Sequence, residues 1–231
     1  MTALTPVEVE ALRLSLKVGL WSVALSLPVA VPIAVLLARR EFPGKQLLNG
    51  VVYLPLILPP VATGYLLLLL FGRRGPAGAW LEEHLGLVLA FRWTGAAVAA
   101  AVMGFPLMVR AIRLSVEAID RRVEVAAATL GASRPWIFAS VTLPLALPGI
   151  IAGTILSFAR GVGEFGATIT FVSNIPGETR TLPIAIHAFL QTPGGEAAAL
   201  RLTALAIVLS LAAIVASEML ARRLQRRLHG A

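Results

Sequence analysis

Two charged side chains interrupt the apolar run 145–171: Arg160 and Glu164, spaced so that both can meet on one face of a helix. A charge near a bilayer centre costs roughly 2.5 to 3.5 kcal/mol on insertion scales, so this pair must face protein or water. Two chemistries suit it. The pair can satisfy itself as a structural ion pair, or Arg160 can lend positive potential to an anion path while Glu164 holds it in place. The segment Gly161-Val-Gly-Glu-Phe-Gly166 also has the glycine spacing of a dinucleotide fingerprint. That fingerprint needs a preceding strand, whereas an uninterrupted apolar run comes before it here, so the glycines are read as ending or bending a helix.

No other constellation supports catalysis. Asp120 is the sole aspartate, and His84, His187 and His229 lie far apart without metal-ligand spacing. With no cysteine, thiolate chemistry and disulfides are excluded. Gly44-Lys45 lacks both the earlier glycine and the following hydroxyl of a phosphate-binding loop. The chain is therefore not expected to be an enzyme by itself, nor to carry a cofactor or metal, and any ATP must be handled by another subunit.

A second polar feature has a different character. Glu124-Val-Ala-Ala-Ala-Thr-Leu-Gly131, then Ser133-Arg-Pro-Trp136 and Val141-Thr-Leu-Pro144, form a helical elbow between two apolar runs. Such an elbow lies along a membrane surface, where another protein can grip it. Gly131 suits a backbone turn or a close approach that a side chain would block.

The elements that position these groups follow from hydropathy. At 231 residues, 58% hydrophobic and with a mean hydropathy of +0.85, the chain suits one all-α membrane bundle. Five runs approach the spanning length of about 20 residues: 14–38, 47–71, 94–114, 145–171 and 202–220, with the elbow loop at 121–144. The acidic N-terminus does not resemble a cleaved signal, which leaves the first span as the targeting element. Prolines 28, 32, 55, 59 and 60 are expected to kink the first two spans. In the fourth, Gly149, Gly153, Ser157 and Gly161 lay a small-residue stripe along one face, for close packing either within the chain or across a dimer. Residues 172–201 read as an external loop with a short helix dipping into the surface. Trp21, Trp80, Trp93 and Trp136 suit an interfacial belt.

The net charge of +8 reflects membrane orientation and not nucleic acid. Twelve Lys and Arg residues, among them Arg39, Arg40, Arg113, Arg122, Arg134 and the terminal Arg222, Arg223, Arg226 and Arg227, fall on one side of the predicted spans, against seven on the other. Cytoplasmic loops collect such residues, which predicts an external N-terminus, a cytoplasmic C-terminus and a cytoplasmic elbow. The terminal arginines are read as a snorkelling anchor at anionic lipid headgroups.

The elbow resembles the cytoplasmic loop of permease subunits of ATP-binding-cassette importers, which carries Glu-Ala-Ala, three residues, Gly, nine residues and Ile-x-Leu-Pro. Counting from Gly131, Ala126 and Ala127 match the alanines, and Leu143 and Pro144 keep their places. The acidic position falls on Val125, with Glu124 one residue earlier, and Val141 replaces isoleucine. The resemblance implies ATPase coupling through Glu124, Ala126, Ala127, Gly131, Leu143 and Pro144. It also implies a cytoplasmic ATPase subunit, a second copy of the chain and an extracytoplasmic oxyanion-binding protein as partners, in a bacterial inner membrane. From about Leu12 onward, including Ala38-Arg-Arg-Glu-Phe-Pro-Gly-Lys45, the chain is similar to the molybdate branch of these permeases. The implied cargo is a tetrahedral oxyanion, foremost molybdate, with tungstate or sulfate as alternatives. The rival classes are a self-sufficient carrier or channel and a structural scaffold, but no internal repeat of the kind secondary carriers show is visible.

Overall fold

The computed structural model describes residues 4–229. It is all-helical, with no strand among the described residues. The first helix, α1 (Pro6–Arg39), starts on a reciprocal cap: the Thr5 hydroxyl accepts the Glu8 amide, and the Glu8 carboxylate accepts the Thr5 amide at 2.7 Å. Along α1 the buried positions Ala11, Leu14, Val18, Ser22, Ser26, Ala30, Ala34 and Leu37 recur every three or four residues. This stripe packs against α5 (Trp93–Glu117) and α8 (Leu143–Val162), the central pair of the bundle.

The second predicted span is two helices. α2 (Lys45–Ile57) and α3 (Pro60–Phe71) meet at a bend of 115°. Pro59 and Pro60 supply no amide to the preceding turn, and Leu58, before a proline, is extended at ψ 143°. The fourth run is likewise divided, between α8 and α9 (Gly166–Val172), across Gly163, Glu164 and Phe165. Among the described residues, four helices are long and apolar enough to cross a membrane, and the bent α2–α3 pair makes up to five spans. A short helix, α4 (Pro76–Leu85), links α3 to α5.

The stripe on α8 is an intrachain seam. A Cβ at Gly149 would lie 2.2 Å from Ser115 Cβ, one at Gly153 2.9 Å from the Met108 carbonyl, and one at Gly161 3.0 Å from Ser22 Oγ. Across the same seam, a Cβ at Gly104 would meet Ser157 Oγ at 2.4 Å. Small residues on both helices therefore let the α5 and α8 backbones approach one another, which decides between the two uses the stripe permits.

Residues 172–201 contain α10 (Leu182–Leu190), which is built into the bundle and not laid on its surface. Leu182 and Ala185 join Ala11 and Leu202 in a buried cluster, and the Leu182 amide donates to Ser15 Oγ at 2.6 Å. The last helix, α11 (Glu196–His229), is held at its start by Arg201, whose Nη2 lies 2.8 Å from the fully buried carboxylate of Glu8. The side chains of Arg222, Arg226 and Arg227, assigned to the headgroup anchor, lie outside the described residues. Apolar side chains such as Leu47, Ile57, Leu200 and Val208 face outward, as a lipid-facing surface requires.

Candidate functional site

The elbow joins α5 to α8. Its first arm is α6 (Arg121–Thr129), capped by Asp120, whose carboxylate accepts the Arg122 amide at 2.9 Å. α6 buries no residue. It ends on Gly131 at φ +86°, where the Gly131 and Ala132 amides donate to the carbonyls of Ala128 and Ala127. These two bonds form the left-handed helix stop that glycine accommodates at least cost. No neighbouring atom would crowd a Cβ at Gly131, so the turn, and not a close approach within the chain, is what requires glycine there.

The second arm, α7 (Arg134–Ile137), runs through a π-helical turn at Phe138–Thr142 into α8. Pro144 explains that turn. It cannot donate to Ser140 and its ring displaces that carbonyl, so the helix widens and the Leu143 amide reaches back five residues to Phe138. Leu143 packs on the core while Pro144 is exposed, which makes the Leu-Pro pair the joint where the elbow enters the membrane helix.

Between the arms lies an open concave surface of about 650 Å³, lined by Ala126, Ala127, Leu130, Gly131 and Trp136. Leu130 is 89% exposed at its rim. The structure thus gathers Ala126, Ala127 and Gly131 on one accessible surface and sets Leu143 and Pro144 apart at the joint. Glu124 belongs to neither group. Its Oε1 receives Arg39 Nη2 at 3.0 Å and Thr142 Oγ1 at 2.8 Å, on the bundle side of the helix. Val125, one position and about 100° further round the helix, is exposed. The one-residue displacement of the carboxylate therefore turns it inward. Neither Arg39, read only as an orienting charge, nor Thr142 was marked as a partner in the sequence; they lie 85 and 18 residues from Glu124.

At the opposite end of the bundle, Arg160 and Glu164 meet as their spacing predicts, with Arg160 Nη1 on Glu164 Oε2. The Glu164 side chain is 1% exposed, and its other oxygen accepts the Ala167 amide at 2.7 Å at the start of α9. Both carboxylate oxygens are thus engaged. The Arg160 side chain is 29% exposed, and its guanidinium has more donors than this one bond uses. The break that contains Glu164 abuts the α2–α3 break: a Cβ at Gly166 would lie 2.7 Å from Pro60 Cβ, and one at Gly64 2.5 Å from the Ala167 carbonyl. Two interrupted helices meet at their interruptions, an arrangement membrane proteins use where backbone lines a cavity or packs on protein.

Residues 30–228 match the family described as binding-protein-dependent transport system inner membrane component. The chain is 58% identical over 219 residues to the molybdenum transport system permease protein ModB of Escherichia coli K12, covering 95% of this chain and 96% of the relative. It is 54% identical to the protein of the same name from Haemophilus influenzae, covering 96% of each chain. A sulfate transport system permease protein, CysW of Synechococcus elongatus, is 37% identical over 86% of this chain and 70% of its own length. Among solved structures, a bacterial alginate importer aligns with a TM-score of 0.74 at 16% identity, over 95% of this chain and 80% of that one. The MetNI methionine transporter in an inward-facing conformation aligns at 0.68 and 16% identity, over 94% of both chains. These two share the fold. With the family match spanning most of its length, the chain belongs to the inner-membrane components of binding-protein-dependent transport systems, as a multi-pass permease subunit.

Proposed function

We propose that this chain is the membrane-spanning subunit of an ATP-driven importer that moves molybdate into the cytoplasm. The observation that carries the cargo is the 58% identity, end to end, with a molybdenum permease, against 37% with a sulfate permease. Two copies of the chain pair. Each seats its elbow in a cytoplasmic ATPase subunit through the concave surface around Ala126, Ala127 and Gly131, while Leu143 and Pro144 pass the motion into α8. ATP binding closes the ATPase pair and draws the elbows together, and the bundle turns from inward-facing to outward-facing. An extracytoplasmic binding protein then delivers the oxyanion to the open mouth.

Inside the bundle, Arg160 offers the positive potential and Glu164 fixes its position. The N-terminus lies outside and the C-terminus in the cytoplasm. The contacts support setting the elbow and the N-terminus on opposite sides: Arg39 meets Glu124 at one end of α1, while Glu8 meets Arg201 near the other.

The test is reconstitution of the chain in liposomes with its ATPase subunit and binding protein, followed by molybdate uptake. Uptake should need ATP and all three components, and tungstate should compete better than sulfate. Molybdate entry through the chain alone would sink the importer reading in favour of a carrier or channel.

A further inference from the structure

We propose that Arg39 is a positioning residue for energy coupling: through the Glu124 carboxylate it is joined to Thr142, and this three-residue strut carries elbow movement into α1 and α8. The proposal rests on the importer reading above and adds to it a route for the force.

The need for a strut follows from how little else ties α6 down. α6 buries no side chain, and Val125 and Leu130 beside its stop face solvent. A helix gripped by a partner but free of its own bundle would rock without moving the membrane helices. One atom prevents this. Glu124 Oε1 accepts from Arg39 Nη2, in the last turn of α1, and from Thr142 Oγ1, in the π-helical turn that opens α8. The same Nη2 lies 3.3 Å from the Ile119 carbonyl, just past the end of α5. Three elements converge on one carboxylate, and a fourth joins them through Arg39.

Burial strengthens the junction. The Arg39 side chain is 13% exposed and that of Glu124 21%. Thr142 is buried. Charge-assisted bonds shielded in this way hold geometry better than exposed surface pairs. Among the described residues, the other ion pairs at this end lie elsewhere: Lys45 pairs with Glu41 four residues away, and Arg113, paired with Glu117, also donates to Asn49 Oδ1 at 3.1 Å and so ties α5 to α2 and not to the elbow. Coupling travels through contiguous polar networks and packed elements that share two discrete arrangements, and this carboxylate sits where α1, α6 and α8 would have to move together.

The experiment compares Arg39→Ala, Arg39→Lys, Thr142→Val, the single reversals Arg39→Glu and Glu124→Arg, and these two reversals combined as an exchanged pair. Each is assembled with the ATPase subunit and binding protein in liposomes, and molybdate taken up per ATP hydrolysed is measured beside the amount of ATPase that co-purifies. Arg39→Ala should assemble normally yet lose roughly 2- to 30-fold in uptake per ATP. Arg39→Lys should fall between it and the unaltered chain, because a point charge replaces a fork. Thr142→Val leaves the ion pair intact and should lower the ratio less. The exchanged pair should recover part of what either single reversal loses.

An unchanged ratio in Arg39→Ala, alongside ATP-driven uptake by the unaltered chain, overturns the strut alone. A loss that tracks failure to bind the ATPase also overturns it, since Arg39 would then shape the docking surface. ATP-independent uptake by the unaltered chain overturns the importer reading and the strut with it.

Discussion

At the scale of single residues, Gly131 is constrained by its φ of +86° and not by lack of room. A residue with a Cβ pays about 1 to 2 kcal/mol in that conformation, and a β-branched one more. Gly131→Val should therefore leave the protein in the membrane with reduced molybdate uptake per ATP. Gly131→Asn, which tolerates the left-handed region, should retain more; equal loss from both would point to a partner pressing on this spot. Arg160 and Glu164 allow a sharper separation. Arg160→Met strands a carboxylate only 1% exposed, and removal of one partner from a buried pair costs roughly 3 to 5 kcal/mol, so the melting temperature in detergent should drop. Adding Glu164→Gln keeps an oxygen for the Ala167 amide and should restore that temperature. If uptake returns with it, the pair is structural; if stability returns without uptake, Arg160 acts on the anion. The meeting of these two was legible in the sequence as an i,i+4 spacing, although α8 ends at Val162 and Glu164 reaches Arg160 from the turn beyond it. The Arg39 contact was not, because nothing local links side chains 85 residues apart.

At the scale of elements, hydropathy marks the apolar runs because the bilayer sets their length, and proline marks where the second run breaks. The direction of that break was not legible. Adjacent Pro59 and Pro60 remove hydrogen bonds, but the 115° turn depends on what α3 packs against, and its partner α9 follows about a hundred residues later. The division of the fourth run has a local cause, since Glu164 accepts the Ala167 amide with its side chain and so competes with the helix it interrupts. The small stripe of α8 was visible as a pattern; its partner was not, since every fourth residue being small fits a helix of the same chain or of another. Its placement against α5 makes a prediction. Gly153→Leu would drive a side chain into the Met108 backbone and Ala111, so the folded protein should fall in yield and melt lower in detergent. Leu156→Ala, on the 43% exposed face of the same helix, should change yield and melting little. Comparable losses from both would remove the seam as the special feature.

For the whole molecule, orientation decides whether the elbow can meet an ATPase at all. The proposed orientation, drawn from the asymmetry of Lys and Arg, sets it in the cytoplasm, and the fold separates the two ends by the length of α1, whose 34 residues span about 51 Å at 1.5 Å each. That exceeds the roughly 30 Å hydrocarbon core, so the helix is long enough for Glu8 and Arg39 to reach opposite faces. Because the chain has no cysteine, one introduced thiol gives one unambiguous label. Ser133→Cys sits at the start of the second arm of the elbow, and Thr192→Cys in the exposed turn between α10 and α11. A membrane-impermeant maleimide applied to spheroplasts should label Thr192→Cys and spare Ser133→Cys until the membrane is permeabilised. Reversed labelling would put the elbow and its concave surface outside, beyond the reach of any nucleotide-driven partner, and the positive-inside argument would fail with it. Labelling of both from outside would mean that the α5–α8 connection does not lie across the membrane from the α10–α11 turn, which a continuous α8 of 20 residues does not allow.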